Sequence, residues 1–399
     1  MRVLFNGAST IRPKTGVGHT TINLHRALTA VSPADRFWLY PGDSVRNLVG
    51  RCLKPASRQT GSISPPKPAA KHLLNRLALS TARLGYAAHF HTVARLGPFD
   101  LYHEPNLVPF SIRLPTVVTI HDLSVILFPE WHPSDRVKRY EKAFARGVAT
   151  AAHILVDSEA VRTEVIRVLG VDPKLVTTVY MGIGSNFRLQ STEEIAAVRA
   201  RLGLPDRYLL YVGTVEPRKN LTTLLRAYCD LPGELRETCP LILGGAWGWK
   251  SEPERELFES EARHRGVRYL GYVADEDLPA LYGGAVALLY PSFYEGFGLP
   301  PVEAMACGTA AIVSTADAVR EVVGTQAIQI DPRDLSGWRD AMQRSIADRE
   351  YLAHYRREGV GYSARFGWER AAETTLDVYR RVLGIAPASA SPGPSARAA

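Results

Sequence analysis

Residues 290 to 308, YPSFYEGFGLPPVEAMACG, carry two carboxylates eight positions apart, Glu295 and Glu303. Gly296, Phe297, Gly298 and a Pro-Pro pair lie between them. The preceding AVALLY (285–290) predicts a buried strand, and LPPVEAMACG predicts a short helix stopped at Gly308. Glu295 then falls in the loop and Glu303 about one turn into the helix. Glycines let backbone N–H groups approach an anion closely, and the helix N-terminus adds a positive dipole end. Carboxylates beside a phosphate repel it, so they must serve another part of the ligand. Neighbouring sugar hydroxyls, which donate to an ionised carboxylate, fit that requirement. A central diphosphate with a sugar at each end satisfies both demands, which describes a nucleotide sugar. For Glu303 alone, a first-turn acid favouring the helix dipole would suffice; the glycines and the strand–loop–helix context favour the ligand reading.

A diphosphate needs cations, and YVGTVEPRKNLTTLL (211–225) supplies Arg218 and Lys219 where a strand gives way to a helix. Asn220 is the expected N-cap of that helix. Basic side chains at a helix N-terminus oppose its dipole, a cost that a bound anion would offset. Near the N-terminus, Gly16 and Gly18 precede a predicted helix, but Thr21 stands where a dinucleotide fingerprint needs its third glycine. His121 and Asp122 follow the strand-like TVVTI, and Glu104 follows DLYH on the neighbouring strand. The acids of ADED (274–277) precede LPALY and read as a helix start, so no metal is expected.

These residues need a scaffold that gathers the ends of strands. Strand-like runs at 2–6, 36–40, 100–103, 116–120, 153–157 and 176–180 alternate with helical stretches such as 18–31, 134–149 and 158–168. After residues 181–187 the pattern restarts, with runs at 208–213, 241–245, 267–272, 285–290, 310–314 and 327–330. Short continuous apolar runs alternating with helices indicate parallel sheets buried on both faces. The expectation is an α/β chain of two doubly wound, Rossmann-like domains facing each other across a cleft, with ligands beyond the carboxyl ends of the strands. The first covers 1–188 and the second 189–366, and 385–399 is a low-complexity tail expected to be disordered.

The 399 residues include 46% apolar and 22% charged side chains, an ordinary globular balance. Four scattered cysteines without a C-x-x-C suggest neither a disulfide framework nor a zinc site, and no apolar run is long enough to span a membrane. A short apolar start without a secretory h-region points to the cytoplasm. The net charge of +8 is unevenly placed. Residues 44–99 hold nine Lys or Arg and no Asp or Glu, and the first hundred residues hold fourteen basic and three acidic side chains, leaving the rest of the chain at −3. Such a segment attracts phosphate-rich surfaces. Within it, residues 69–90 read equally as a surface helix or an interfacial membrane helix. A nucleic-acid surface is not expected, because the interleaved aromatics of a stacking platform are missing.

The E-x7-E spacing in YEGFGLPPVEA, with VGTVEPRKNL, TVVTIHDLS and the N-terminal glycine loop, resembles the retaining glycosyltransferases of family 4, which have the GT-B fold. The resemblance covers nearly all of residues 1–384, and YHEPNLVPF and HDLSVILFPEWHP look most like bacterial mannosyl- and rhamnosyltransferases of surface-polysaccharide assembly. It implies that Glu303 binds the ribose hydroxyls, and that Glu295 holds the donor sugar with the N–H groups of Phe297 and Gly298 beside Gly296. Arg218 and Lys219 would neutralise the diphosphate, and the base would rest near Tyr272 and Val273. His121 would face the donor sugar, and Gly16 and Gly18 would border the phosphates. Glu104 and Asp122 would belong to the acceptor side, and the last helix (367–384) would return to the first domain. Many relatives carry Arg where this chain has Thr214, so its phosphate clamp would rest more heavily on Arg218 and Lys219.

The implied reaction is transfer of a hexose, with retention, to a saccharide or lipid-linked saccharide acceptor. It needs neither cofactor nor metal, and the donor is a nucleotide-sugar co-substrate. GDP-mannose leads as donor and GDP-rhamnose follows, with a UDP-sugar still open. The basic 44–99 segment would dock on an anionic membrane surface, placing the enzyme at the inner face of the plasma membrane, or would face the acceptor. A sugar-nucleotide epimerase on the same architecture is the alternative. A nicotinamide-dependent oxidoreductase would rest on the glycine loop alone.

Overall fold

The computed structural model describes residues 1–11, 16–42, 85–106 and 109–386. Most of the basic 44–99 segment, with its proposed membrane role, and nearly all of the 385–399 tail lie outside the described residues.

Twelve strands are described: β1 (Arg2–Asn6), β2 (Arg36–Tyr40), β3 (Leu101–Glu104), β4 (Thr116–Ile120), β5 (His153–Val156), β6 (Val176–Thr178), β7 (Leu209–Val212), β8 (Leu241–Gly244), β9 (Val267–Gly271), β10 (Ala287–Tyr290), β11 (Ala311–Ser314) and β12 (Ile328–Ile330). They form two parallel six-stranded sheets, ordered β2-β1-β3-β4-β5-β6 and β12-β11-β10-β7-β8-β9. Inner strands such as β3, β4, β8, β10 and β11 are buried at every residue, whereas the edge strands β2 and β12 are not. That contrast is why inner strands read as unbroken apolar runs.

Two compact units emerge. One comprises Met1–Thr119, Arg146–Leu155 and Ala371–Ala399; the other comprises Ile120–Ala145 and Val156–Arg370. In the second unit, alternate residues of β7, β8 and β10 feed two cores. Leu209, Tyr211, Leu241, Leu243, Ala287 and Leu289 pack on one face with Trp338. Tyr208, Leu210, Ile242 and Leu288 pack on the other with Tyr282. This is the period of two that a strand imposes on its side chains.

Local signals set the helix ends. Ser158 caps the helix Glu159–Leu169 by accepting from the Val161 N–H, and Gly170 ends it with φ +63°. Ser191 and Glu194 form a reciprocal capping box on Thr192–Leu202. Asn220 departs from its expected role. It has φ +55° and makes no side-chain cap to the helix Leu221–Cys229. Its amide instead donates to the carbonyls of Pro291 and Pro332, at 3.0 and 2.7 Å, and its carbonyl accepts from the Thr223 hydroxyl. Asn220 therefore braces three loops rather than a helix end. No helix among the described residues is long and apolar enough to cross a membrane.

Candidate active site

β7 and β10 are neighbours in the second sheet, with Leu209 beside Ala287 and Leu210 beside Leu288. Their carboxyl ends open side by side, and the Phe293 N–H donates to the Arg218 carbonyl at 2.8 Å, tying the two following loops together. Glu295 is buried between them and fully engaged. Its Oε1 accepts from the Tyr290 and Ser292 hydroxyls, both at 2.8 Å, and from Lys219 Nζ; its Oε2 accepts from Arg218 Nη1 at 2.5 Å. Arg218 Nε also pairs with Glu216 Oε1 at 2.6 Å. Burial alone would push the Glu295 carboxyl up, but Arg218 and Lys219 outweigh it and hold the group at about 2.

Two cations and two carboxylates thus cancel within this network. The cost of placing Arg218 and Lys219 before a helix is offset internally by Glu216 and Glu295, without a bound anion. One donor edge is left over: Arg218 Nη2 bonds no described residue, and the guanidinium is partly exposed. The buried Glu216 Oε2 and Tyr211 hydroxyl also lack a hydrogen-bond partner among the described residues.

The glycines of the loop have steric reasons. A Cβ on Gly296 would lie 1.8 Å from the His121 carbonyl oxygen, so only glycine admits this approach. Ser158 Oγ fixes the same point by donating to the Gly296 carbonyl at 2.8 Å. Gly298 has φ +96°, in the left-handed region, and immediately precedes the helix Leu299–Ala306. His121 Nδ1 lies 2.7 Å from Asp157 Oδ2. A carboxylate only accepts, so Nδ1 carries the proton and Asp157 orients the ring. Asp122 Oδ1 accepts from the Ser124 N–H and hydroxyl; against burial, Arg218 and these bonds keep its carboxyl below the usual range.

Glu303 is half-buried in the helix Leu299–Ala306 and accepts from the Tyr282 hydroxyl at 3.0 Å. Burial pushes its carboxyl up to about 7, with the Tyr282 bond pulling the other way. Its environment differs sharply from that of Glu295. One acid is locked among cations, and the other pairs with no cation among the described residues.

Comparison with known proteins decides the family. Residues 15–186 match the family described as Glycosyltransferase Family 4, and residues 194–360 match Glycosyl transferases group 1. The chain is 33% identical over 384 residues to the O-antigen chain mannosyltransferase B of Escherichia coli, covering 95% of this chain and 100% of that protein. The chain belongs to the family 4 glycosyltransferases. It is also 26% identical to the serotype-specific mannosyltransferase WbdA of Escherichia coli, over 92% of this chain but only 46% of that longer protein. Anabaena Alr3699/HepE in complex with UDP-glucose shares the GT-B fold, with a TM-score of 0.69 at 19% identity, covering 95% of this chain and 100% of that one.

On this glycosyltransferase, the second unit brings together His121, Asp122, Arg218, Lys219, Glu295 and Gly296. Phe297 is 1% exposed and packs with Val302, Val322 and Phe366, which leaves only its backbone for a ligand. Tyr272 and Val273 diverge: Tyr272 is 65% exposed, while Val273 packs in the core with Leu210 and Ile242. In the first unit, Gly16 opens the helix Gly16–Val31 and Gly18 is buried in its first turn; the loop residues 12–15 before them lie outside the described residues. Glu104 is buried at the end of β3, accepting from Asn6 Nδ2 at 2.7 Å, the Tyr102 hydroxyl at 2.5 Å and the Asn106 N–H at 3.0 Å. Burial raises its carboxyl to about 7 against these three bonds.

Asp157, Glu216, Tyr290 and Ser292 join the site without having stood out in the sequence. Asp157 was within reach, since it follows β5 in HILVDS just as His121 follows β4. Glu216 sits two residues before Arg218, but nothing in the spacing announces that their side chains turn towards each other.

Proposed function

We propose that this glycosyltransferase moves a hexose, with mannose favoured, from a nucleoside-diphosphate sugar to a saccharide acceptor in surface-polysaccharide synthesis. GDP-mannose is the favoured donor, and a lipid-linked saccharide at the cytoplasmic face of the membrane is the favoured acceptor. The observation that carries this reading is the full-length 33% identity to an O-antigen chain mannosyltransferase. The site geometry is consistent with it. In this reading Arg218 Nη2 donates to the diphosphate, and Glu303, which accepts from Tyr282 among the described residues, accepts from ribose hydroxyls. The N–H groups of Phe297 and Gly298 then hold the donor sugar, and His121, whose ring Asp157 holds through Nδ1, faces it.

Retention of configuration is part of the proposal. Glu295 accepts four hydrogen bonds and is 6% exposed, a poor starting point for a nucleophile that must leave its partners to attack carbon. Attack on the face from which the leaving group departs, with the departing phosphate oxygen taking the acceptor proton, needs no such residue. The protein then contributes positioning and stabilisation of charge growing on the diphosphate. Metal independence follows from the same reading, with Arg218 and Lys219 in the place of a cation.

The test is calorimetric titration of GDP, UDP and ADP, with EDTA present, into wild type and Glu303→Ala. Binding of GDP alone to wild type, weakened at least tenfold in the variant, is expected. Preference for UDP or ADP would overturn the donor, and a requirement for a divalent metal would overturn the site. NMR of the anomeric proton in the transfer product checks retention.

A further inference from the structure

The loop that carries Glu295 also borders a hollow that Glu295 itself helps to line. A cavity of about 280 Å³ lies at the carboxyl ends of β10, β11 and β12, and its walls include Phe128, Glu164, Phe293, Asp317, Asp331 and Arg333. The loops after β11 and β12 contribute much of it, and these carry none of the residues assigned above to the nucleotide.

The chemistry of the lining is specific. Phe128 stacks on Trp131 with ring centroids 4.2 Å apart and planes 19° apart, and Trp131 stacks in turn towards Phe293 at 6.2 Å and 20°. The Arg333 guanidinium lies 5.3 Å over the Phe293 ring. Glu164 accepts from the Tyr294 hydroxyl at 2.6 Å, which fixes its carboxylate, while Asp317 and Asp331 are exposed. Three carboxylates therefore face one guanidinium, with Glu295 already neutralised by its own partners. A diphosphate or an acidic lipid headgroup would be repelled. A cation would find the Phe293 face already held by Arg333. A neutral polyol meets neither objection: adjacent hydroxyls donate to the carboxylates, others accept from Arg333, and the C–H face of a sugar ring packs on an aromatic plane. The volume is close to the lower bound of about 300 Å³ for small-molecule sites, suited to a short saccharide segment.

We propose that this cavity is a subsite for a neutral oligosaccharide, holding part of the acceptor chain away from the bond being formed. The acceptor role rests on the proposed function; the binding of saccharide does not.

The experiment is saturation-transfer NMR with mannotriose, maltotriose and chitotriose, in the presence of saturating GDP or UDP. Wild type, Asp317→Ala and Arg333→Ala are compared, both substitutions being at exposed positions. At least one trisaccharide is expected to bind with nucleotide present, with its Kd raised tenfold or more in both variants and nucleotide affinity unchanged within twofold. Absence of binding by all three sugars, binding indifferent to both substitutions, or binding abolished by nucleotide would each overturn the subsite. An error in the donor assignment would appear in the nucleotide titrations and leave the trisaccharide result standing.

Discussion

Replacing Glu295 with Gln probes the centre of the site, because it removes one negative charge and keeps the shape. A carboxyl held at about 2 instead of the ordinary 4.5 contributes about 3 kcal/mol to folding at neutral pH, at roughly 1.4 kcal/mol per tenfold change in proton affinity. An independent route agrees: removing one partner of a buried ion pair costs about 3–5 kcal/mol. Because the folded value is depressed, this contribution is fully present above pH 4.5 and is lost as pH falls through about 2. For a unit of this size, about 3 kcal/mol corresponds to a Tm lowered by roughly 6–12 °C. Scanning calorimetry at pH 7.5 should show that deficit for Glu295→Gln. Urea unfolding from pH 7 to pH 3 should show the gap between wild type and variant shrinking by more than half, mostly below pH 4.5. Binding is expected to move the other way: with Arg218 and Lys219 released from their partner, nucleoside diphosphate affinity should not fall, even as turnover does. A variant as stable as wild type at pH 7.5 would refute the ion-pair reasoning, whatever its activity.

Two further predictions rest on other residues. Gly296→Ala, whose Cβ would lie 1.8 Å from the His121 carbonyl, should cost about 1–3 kcal/mol by overpacking and lower turnover. Gly16→Ala, where a Cβ meets nothing within 4 Å, should leave the Tm unchanged, and equal thermal shifts in the two variants would undo the steric argument. Glu104, raised to about 7, carries stability that is complete below 4.5 and is lost as pH rises through 7. Glu104→Gln should therefore be less stable than wild type at pH 5, with the gap narrowing by up to about 3 kcal/mol towards pH 8; a gap independent of pH in urea titrations would show that the carboxyl is not buried as described.

The scaffold was legible in the sequence because parallel sheets write themselves locally. Every expected strand is present, with ends displaced by two residues at most, since an inner strand such as β10 is an uninterrupted apolar run and its loop begins where Pro291 and Ser292 break it. Glu295, Arg218 and Lys219 stand out by the same logic, as polar residues following strand ends, and Glu303 as an acid in the helix after the glycine loop. Partnerships were not legible. Lys219 and Glu295 are 76 positions apart, and their pairing follows from β7 lying beside β10, a sheet order that no local pattern records. Asn220 failed for a related reason: an Asn before a helix is an N-cap by local rule, but here Pro291 and Pro332 compete for its amide from loops brought in by β10 and β12.

The internal neutrality of the Arg218–Lys219 network changes what donor binding would have to do. Two bare cations beside a helix N-terminus would attract any phosphate, including free nucleotide and inorganic anions, with little regard to the group attached. Cations already paired with Glu216 and Glu295 release little energy to a ground-state diphosphate, because what the ligand gains the carboxylates lose. Charge that grows on the leaving phosphate as the sugar departs would shift that balance, strengthening contacts to Arg218 Nη2 only along the reaction coordinate. Binding that improves towards the transition state raises turnover, whereas equal binding of both states does not. Under the proposed function, Glu295 thus acts by restraining its cations in the resting enzyme. Its removal should therefore tighten product nucleotide and slow the chemical step together, a combination that simple loss of a sugar-binding contact does not produce.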